Sequence, residues 1–552
     1  INKKNINPEH ILAITFTNKA AEEMQSRCSS LLNINASQNH PSISTFHALG
    51  YSILKDYAEK TGRDGQFTIA DEETKREIIK ELFSCSQQEA KQKAEAITQT
   101  KQQNIQPEEP NAAFFREYEK MLASYNLFDL EDLIYQVVQL ASQNEDIQNS
   151  LQKTYQWILV DEFQDINTIQ YDFLKLLCTK NDSNIFVIGD PNQAIYGFRG
   201  SSIKFISRFI EDYKNTEVFK LKTSYRCTNN ILQASGDVLQ EDSLTGLNDG
   251  VSIKIAPQQT EKSEAEYIAR TIEQLSGGLR FFSMDSHVTQ GNQDKEIESL
   301  SDFAILCRTK AQMKPIEEAL NNHTIPYQKI SDDVFFQNPL VKKIRDILNY
   351  HQQPENTHLQ KRVKLHGIDT TKINTTIEEI QSYEKTADKV QFIVEHLIHK
   401  NNRDEEVLKR LLDVSRQFNE RPSEFLKYLS LGSATDIYEK ETEKVTLMTL
   451  HASKGLEFQC AFIAGCEKGL IPYEMFRNQE VDKEEEKRLL YVGMTRAKSY
   501  LYITHAKKRF LMGQEKQMQR SPFLNRIEKE LTETEKNAYK KKQKDDSQLK
   551  LF

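Results

Sequence analysis

At 552 residues the chain is too long for one hydrophobic core and implies several packed domains. Its 38% hydrophobic and 28% charged residues exclude a disordered chain, and no apolar run approaches the roughly 20 residues of a membrane-spanning helix. The formal charge of -8 excludes a uniformly basic nucleic-acid coat but leaves room for a positive groove on an acidic surface.

The opening residues INKKNINPEH read as neither a signal nor a transit peptide, so a cytoplasmic protein is expected. Ile11 to Ile14, Ile158 to Val160 and Ile185 to Ile188 are short β-branched apolar runs ending at polar residues, the pattern of buried parallel strands. Between the first two lie helical spacings such as DEETKREIIKELF and AAFFREYEKML, which predict an inserted helical domain. A second strand set at Val251 to Ile255, Phe303 to Cys307, Val445 to Leu450 and Leu501 to Thr504 predicts another α/β domain. Amphipathic helices at Lys342 to Tyr350, Val390 to His399 and Asp404 to Phe418 interrupt it. Ser283 to Ser301 and Glu528 to Lys550 are polar and patternless, as in loops and tails. The seven cysteines form no C-x-x-C pair and are expected to be reduced thiols.

Two segments carry chemistry. WILVDEFQDIN, Trp157 to Asn167, delivers consecutive acids at a strand's carboxyl end, where doubly wound folds place ligand chemistry. Phosphoryl transfer needs a carboxylate near magnesium and another group to position water; Asp161 suits the first role and Glu162 the second. Acids that merely cap the next helix are the bland alternative. VIGDPNQAIYGFRGS, Val187 to Ser201, follows with Gln193 as a γ-phosphate sensor. Its Tyr196, Phe198 and Arg199 combine aromatic faces and positive charge as single-stranded DNA sites do.

DEFQD and GDPNQAIYGFRG resemble motifs II and III of superfamily 1A DNA helicases of the UvrD, Rep and PcrA family. The remaining motifs follow in order: ILAITFTNKAAEEM is similar to motif Ia, STFHALG to motif Ib and FDLEDL to the family's FDDLI segment. LKTSYRC resembles motif IV and DFAILCRT the segment after it, while VTLMTLHASKGLEF resembles motif V and EEEKRLLYVGMTRAK motif VI. The resemblance implies an α/β fold of two RecA-like doubly wound parallel-sheet domains, each with a helical insertion. The first domain would take 1–50 and 125–235 with its insertion at 51–124; the second would take 236–345 and 441–527 with a reduced insertion at 346–440, before a disordered tail, 528–552.

The resemblance further implies ATP and Mg2+ as cofactors and 3′ to 5′ translocation on single-stranded DNA and its junctions with duplex, in repair or replication. Arg226 and Arg496 would neutralise charge on the γ-phosphate, Tyr225 would stack on adenine and Glu457 would lie near the ribose or phosphates. Phe16, Thr17, Asn18, Thr45, His47, Tyr196, Phe198, Arg199, His451 and Lys454 would line the DNA path, although His47 and His451 also fit a packed, structural role. Many relatives carry Trp at the position of Phe198, so weaker stacking is expected here. No stretch reads G-x-x-x-x-G-K-[ST], which implies a partial chain, inactive alone, or a non-hydrolysing DNA-binding or regulatory protein that has lost this loop. The final QLKLF resembles a sliding-clamp peptide, with Gln548, Leu549, Leu551 and Phe552 as its contacts; a tail that ends in apolar residues by chance is the alternative.

Overall fold

The computed structural model describes residues 1, 6–32, 40–109, 111–179, 184–277, 297–330, 335–368, 379–398, 404–440, 442–474, 482–511 and 513–535. Two units emerge. Unit 1 comprises Ile1–Pro191, Tyr196–Lys214 and Asp332–Ile437, and unit 2 Asn192–Ile195, Asn215–Ser331 and Tyr438–Phe552.

Unit 1 is built on strands β1 (Ile11–Thr15), β2 (Ser42–Thr45), β3 (Thr68–Ala70), β4 (Leu127–Asp129), β5 (Trp157–Val160) and β6 (Asn184–Val187). β2, β1, β5 and β6 form a parallel sheet in that order, so their carboxyl ends share one edge. Leu12, Ile14, Ile158 and Val160 enter a core with Phe46, Leu49, Phe173 and Leu174. Helix Phe46–Tyr57 crosses so close to helix Asp132–Gln143 that a Cβ on Gly50 would lie 1.9 Å from the Leu133 carbonyl oxygen. The apolar strand runs predict burial on both sheet faces, and the structure corrects this: Leu159, Phe186 and Ile188 are 41%, 53% and 49% exposed. Among the described residues β6 pairs with β5 alone, so it ends the sheet and its outer side is uncovered.

The first helical insertion contains helices Glu72–Phe83, Gln87–Gln103 and Asn111–Ser124. The helical pattern also does not announce the parallel pair β3–β4, which joins the insertion to residues just past its expected limit at 124. Beside that pair lies a buried charge cluster. Lys101 Nζ stands 2.7 Å from Glu119, 2.8 Å from Asp129 and 2.7 Å from Asp132. Burial, with Asp129 and Glu119 alongside, pushes the Asp132 carboxyl up to about 8. Burial also opposes the charge of Asp129, but Lys101 and Lys75 outweigh it and hold that carboxyl well below the usual range.

Among the described residues, five further α-helices of unit 1, from Pro339–Gln352 to Pro422–Leu431, belong to the second helical segment. Its basic side meets the acidic side of helix Glu72–Phe83. Lys342 pairs with Glu73 at 2.7 Å, Arg345 with the capping residue Asp71 at 2.9 Å, Lys361 with Glu81 at 2.9 Å and Arg362 with Glu77 at 2.8 Å.

Unit 2 contains β7 (Ile253–Thr260), β8 (Phe303–Cys307), β9 (Tyr327–Ile330), β10 (Val445–Thr449), β11 (Phe458–Ala464), β12 (Ala497–Leu511), β13 (Gln514–Gln517) and β14 (Thr532–Thr534). The order β14-β7-β12-β11-β8-β10-β9 is parallel throughout, with β13 antiparallel on β12. β8 and β10 are buried along their whole length, as continuous apolar runs in a parallel sheet should be. The expectation of a disordered tail from residue 528 is corrected here, because Thr532–Thr534 pairs with Ile253–Ile255. Strand addition uses backbone groups, which a polar, patternless segment supplies as well as an apolar one. Most of Ser283 to Ser301, and all of Gln548, Leu549, Leu551 and Phe552, lie outside the described residues.

Candidate functional site

In unit 1 the chemistry gathers at the carboxyl ends of β1, β5 and β6. The Asp161 amide donates to the Ile14 carbonyl at 2.8 Å and the Phe163 amide to the Ile188 carbonyl at 2.9 Å, so the acidic turn is stitched to both neighbouring strands. Glu162 adopts a left-handed backbone, φ 53° and ψ 38°. Non-glycine residues there are uncommon and cluster at functional sites. Gln164, buried beneath, donates from Nε2 to Glu162 Oε2 at 2.5 Å and accepts from the Asp190 amide at 3.0 Å. Gly189 permits this approach, since a Cβ there would sit 2.8 Å from Gln164 Oε1. Gln164 thus fixes Glu162 against the turn after β6. Its position inside FQD carries no separate sequence signal for this role.

The same end of unit 1 carries an aromatic series. Phe16 stacks on Tyr196 with centroids 5.2 Å apart, and Tyr196 lies 6.1 Å from Phe198, which is 67% exposed. Arg199 ends the short turn Gly197–Arg199. Two hydroxyls assigned to the DNA path act locally. Thr17 Oγ1 accepts from the Ala20 amide, and Thr45 Oγ1, on a buried residue, accepts from the Ala48 amide, both at 3.2 Å. Each caps a helix start. Asn18 Nδ2 donates to Asp436 Oδ2 at 2.9 Å and to the Leu431 carbonyl at 3.2 Å, fastening the end of the second helical segment to the start of helix Asn18–Leu32. His47 is half-buried in the first turn of helix Phe46–Tyr57.

In unit 2 a small recess is lined by Tyr225, Arg226, Cys227, Thr228, Leu247, Asn248, Lys498 and Ser499. Its floor is held by backbone contacts: the Thr228 amide donates to the Lys498 carbonyl at 3.1 Å, and the Phe458 amide to the Arg496 carbonyl at 2.9 Å. Cys227 Sγ donates to the Thr495 carbonyl at 3.5 Å, and burial pushes this thiol up. Tyr225 is 82% exposed and offers an open ring face. Glu457 stands between two cations, 2.9 Å from Arg226 Nε and 2.8 Å from Lys498 Nζ. Partial burial opposes its charge, but Lys498 and Arg226 outweigh that and hold the carboxyl below its usual range.

Arg496 occupies a different place from Arg226. It is fully buried, and its guanidinium donates to the Val492 carbonyl at 2.8 Å, the Leu456 carbonyl at 2.9 Å and Thr495 Oγ1 at 3.3 Å. It ties the GLEF turn to the end of helix Lys483–Met494. Gln193 and Lys454 also belong to unit 2, with Lys454 Nζ donating to the Gln193 carbonyl at 2.7 Å, while His451 opens the turn His451–Ser453 after β10. The structure therefore groups Asp161 with Glu162, Phe16 with Tyr196 and Phe198, and Tyr225 with Arg226 and Glu457.

Residues 1–214 match the family model of the UvrD/REP helicase N-terminal domain, and residues 219–420 and 399–508 that of the UvrD-like helicase C-terminal domain. The chain is 30% identical to the ATP-dependent DNA helicase PcrA of Staphylococcus epidermidis, over 97% of this chain and 82% of that one. It is 30% identical to PcrA of Leuconostoc citreum, over 99% and 82%, and 29% identical to a probable DNA helicase II homolog of Rickettsia conorii, over 95% and 90%. With its motifs carried by two units of parallel α/β structure, this chain belongs to the UvrD/Rep/PcrA family of superfamily 1 helicases.

Proposed function

We propose that the chain forms the motor of an ATP-dependent 3′ to 5′ DNA helicase that translocates on single-stranded DNA and opens junctions with duplex during repair or replication. The observation that carries this reading is the turn after β5, where Glu162 is locked by Gln164 to the turn after β6. A base that must meet water at one position benefits from such fixation. Asp161 would hold magnesium, which takes one or two carboxylates and completes its shell with water and phosphate oxygens. The ion would neutralise charge on the phosphates. Tyr225 would stack on the base, Arg226 and Gln193 would meet the phosphates, and Arg496 would join them on leaving its buried seat. The domain limits expected from the sequence stand as part of this proposal up to residue 527. A cytoplasmic setting follows from the same reading.

The aromatic series is assigned to base stacking, with Arg199, His47, His451 and Lys454 along the DNA path. Replacing Phe198 by alanine is expected to weaken oligo-dT binding about tenfold, since one stacked base contributes about 1–3 kcal/mol. Fluorescence anisotropy against a labelled oligonucleotide measures it. Unchanged affinity would remove Phe198 from the DNA path and count against the motor reading.

The QLKLF end is assigned to a sliding clamp. Deleting 548–552 is expected to abolish clamp binding in a calorimetric titration and to leave oligo-dT binding unchanged; equal clamp affinity with and without the tail would show that it serves no such contact.

A further inference from the structure

Lys498 closes the segment that resembles motif VI, where the resemblance assigns it no role, yet it shares the recess of unit 2 with Tyr225 and Arg226. It lies at the start of β12, two residues beyond Arg496, and its carbonyl is fixed by the Thr228 amide. The two neighbours differ sharply in access. Arg496 is fully buried with its guanidinium on backbone carbonyls, whereas the Lys498 side chain is 38% exposed and 2.8 Å from the Glu457 carboxylate. Glu457 also receives Arg226, so two cations at the rim converge on one carboxylate and leave one positive charge in excess. A carboxylate and a phosphate present the same kind of acceptor oxygens to ammonium and guanidinium donors, and a polyphosphate presents more charge.

We propose that Lys498 is a phosphate-binding residue of this recess, held in position by Glu457 until a nucleoside polyphosphate takes over its ammonium group. The proposal rests on the reading of the recess as a nucleotide site and adds a second accessible cation to it. Glu457 then acts as a placeholder. It keeps Arg226 and Lys498 aimed at one point, and its negative charge lowers the affinity for phosphate until the ligand displaces the ion pairs.

The test is calorimetric titration of the intact chain with ATP and with adenosine, at millimolar ligand. Lys498→Met is expected to lose about tenfold in ATP affinity and nothing for adenosine, and Lys498→Arg to retain most of the ATP affinity. Glu457→Gln is expected to bind ATP more tightly than the parent chain. Circular dichroism establishes that each variant is folded; if Lys498→Met is not, Glu457→Gln and Lys498→Arg decide alone. ATP binding by Lys498→Met equal to that of the parent, or an equal loss for ATP and adenosine, would overturn the role of Lys498 while leaving the nucleotide site standing. Absence of ATP binding by the parent chain would overturn both.

Discussion

Replacing Lys101 by methionine is expected to destabilise unit 1 by about 3–5 kcal/mol, the cost of removing one partner from a buried ion cluster. The residue is fully buried, and its ammonium group touches three carboxylates, of which Asp129 and Asp132 are also buried. Those two are bound reciprocally, the Asp132 amide to Asp129 Oδ1 at 2.9 Å and the Asp129 amide to Asp132 Oδ2 at 3.1 Å, so neither can swing toward water without opening the turn between them. Tyr118 adds a hydroxyl on Asp129 at 3.0 Å, and Lys75 lies 3.6 Å from the same carboxylate. Once Lys101 is gone, Lys75 is the cation left beside Asp129, and it stands closer to Glu131, at 2.9 Å. Methionine fills similar volume, so the loss reads as electrostatic and not as a cavity. Urea unfolding followed by fluorescence suits the measurement, because the single tryptophan, Trp157, lies in β5 of unit 1. Lys120→Met, at a 72% exposed side chain, serves as the control. A Lys101→Met chain within about 1 kcal/mol of the parent would show that the cluster contributes little to the fold.

Glu162→Gln is expected to lower DNA-stimulated ATP turnover by about 10²-fold or more while sparing nucleotide affinity, provided the chain is joined to a phosphate-loop strand. Glutamine matches glutamate in size and can keep a hydrogen bond to Gln164, but it is no longer a base. The unfused chain supplies the baseline and is expected to show no appreciable turnover, since no G-x-x-x-x-G-K-[ST] occurs in its 552 residues. Normal turnover by the variant would remove Glu162 from water activation. A fused parent chain that binds oligo-dT yet hydrolyses nothing would favour the non-hydrolysing alternative.

Much of this arrangement is written in local sequence. ILAI, WILV and IFVI become adjacent parallel strands because β-branched apolar runs of that length suit nothing else beside helical neighbours, and the acids that end WILV fall at the sheet's carboxyl edge as a consequence. Three residues are too few to show a period, which is why β3, β4 and β14 have no signature of their own. Side-chain partners are less legible still. TFTNKA gives no sign that Thr17 caps its own helix or that Asn18 reaches a residue more than four hundred positions away, and TRAK does not show that the arginine turns inward while the lysine turns out. Such choices are made by tertiary packing, after the motif has put the two cations on either side of the first residue of β12.

The uncovered edge of β6 also bears on the colloidal behaviour of the chain. A terminal parallel strand offers a row of amides and carbonyls to any extended peptide, and proteins usually guard such rows with lysine, proline or a bulge. NIFV has none of these, and Phe186 with its neighbour Ile188 adds an oily strip along the same border. Two copies meeting there would find both hydrogen bonds and apolar contact, and a third could follow on a free end. A strand of any origin laid along that border would pair with those groups and shield Phe186 from water.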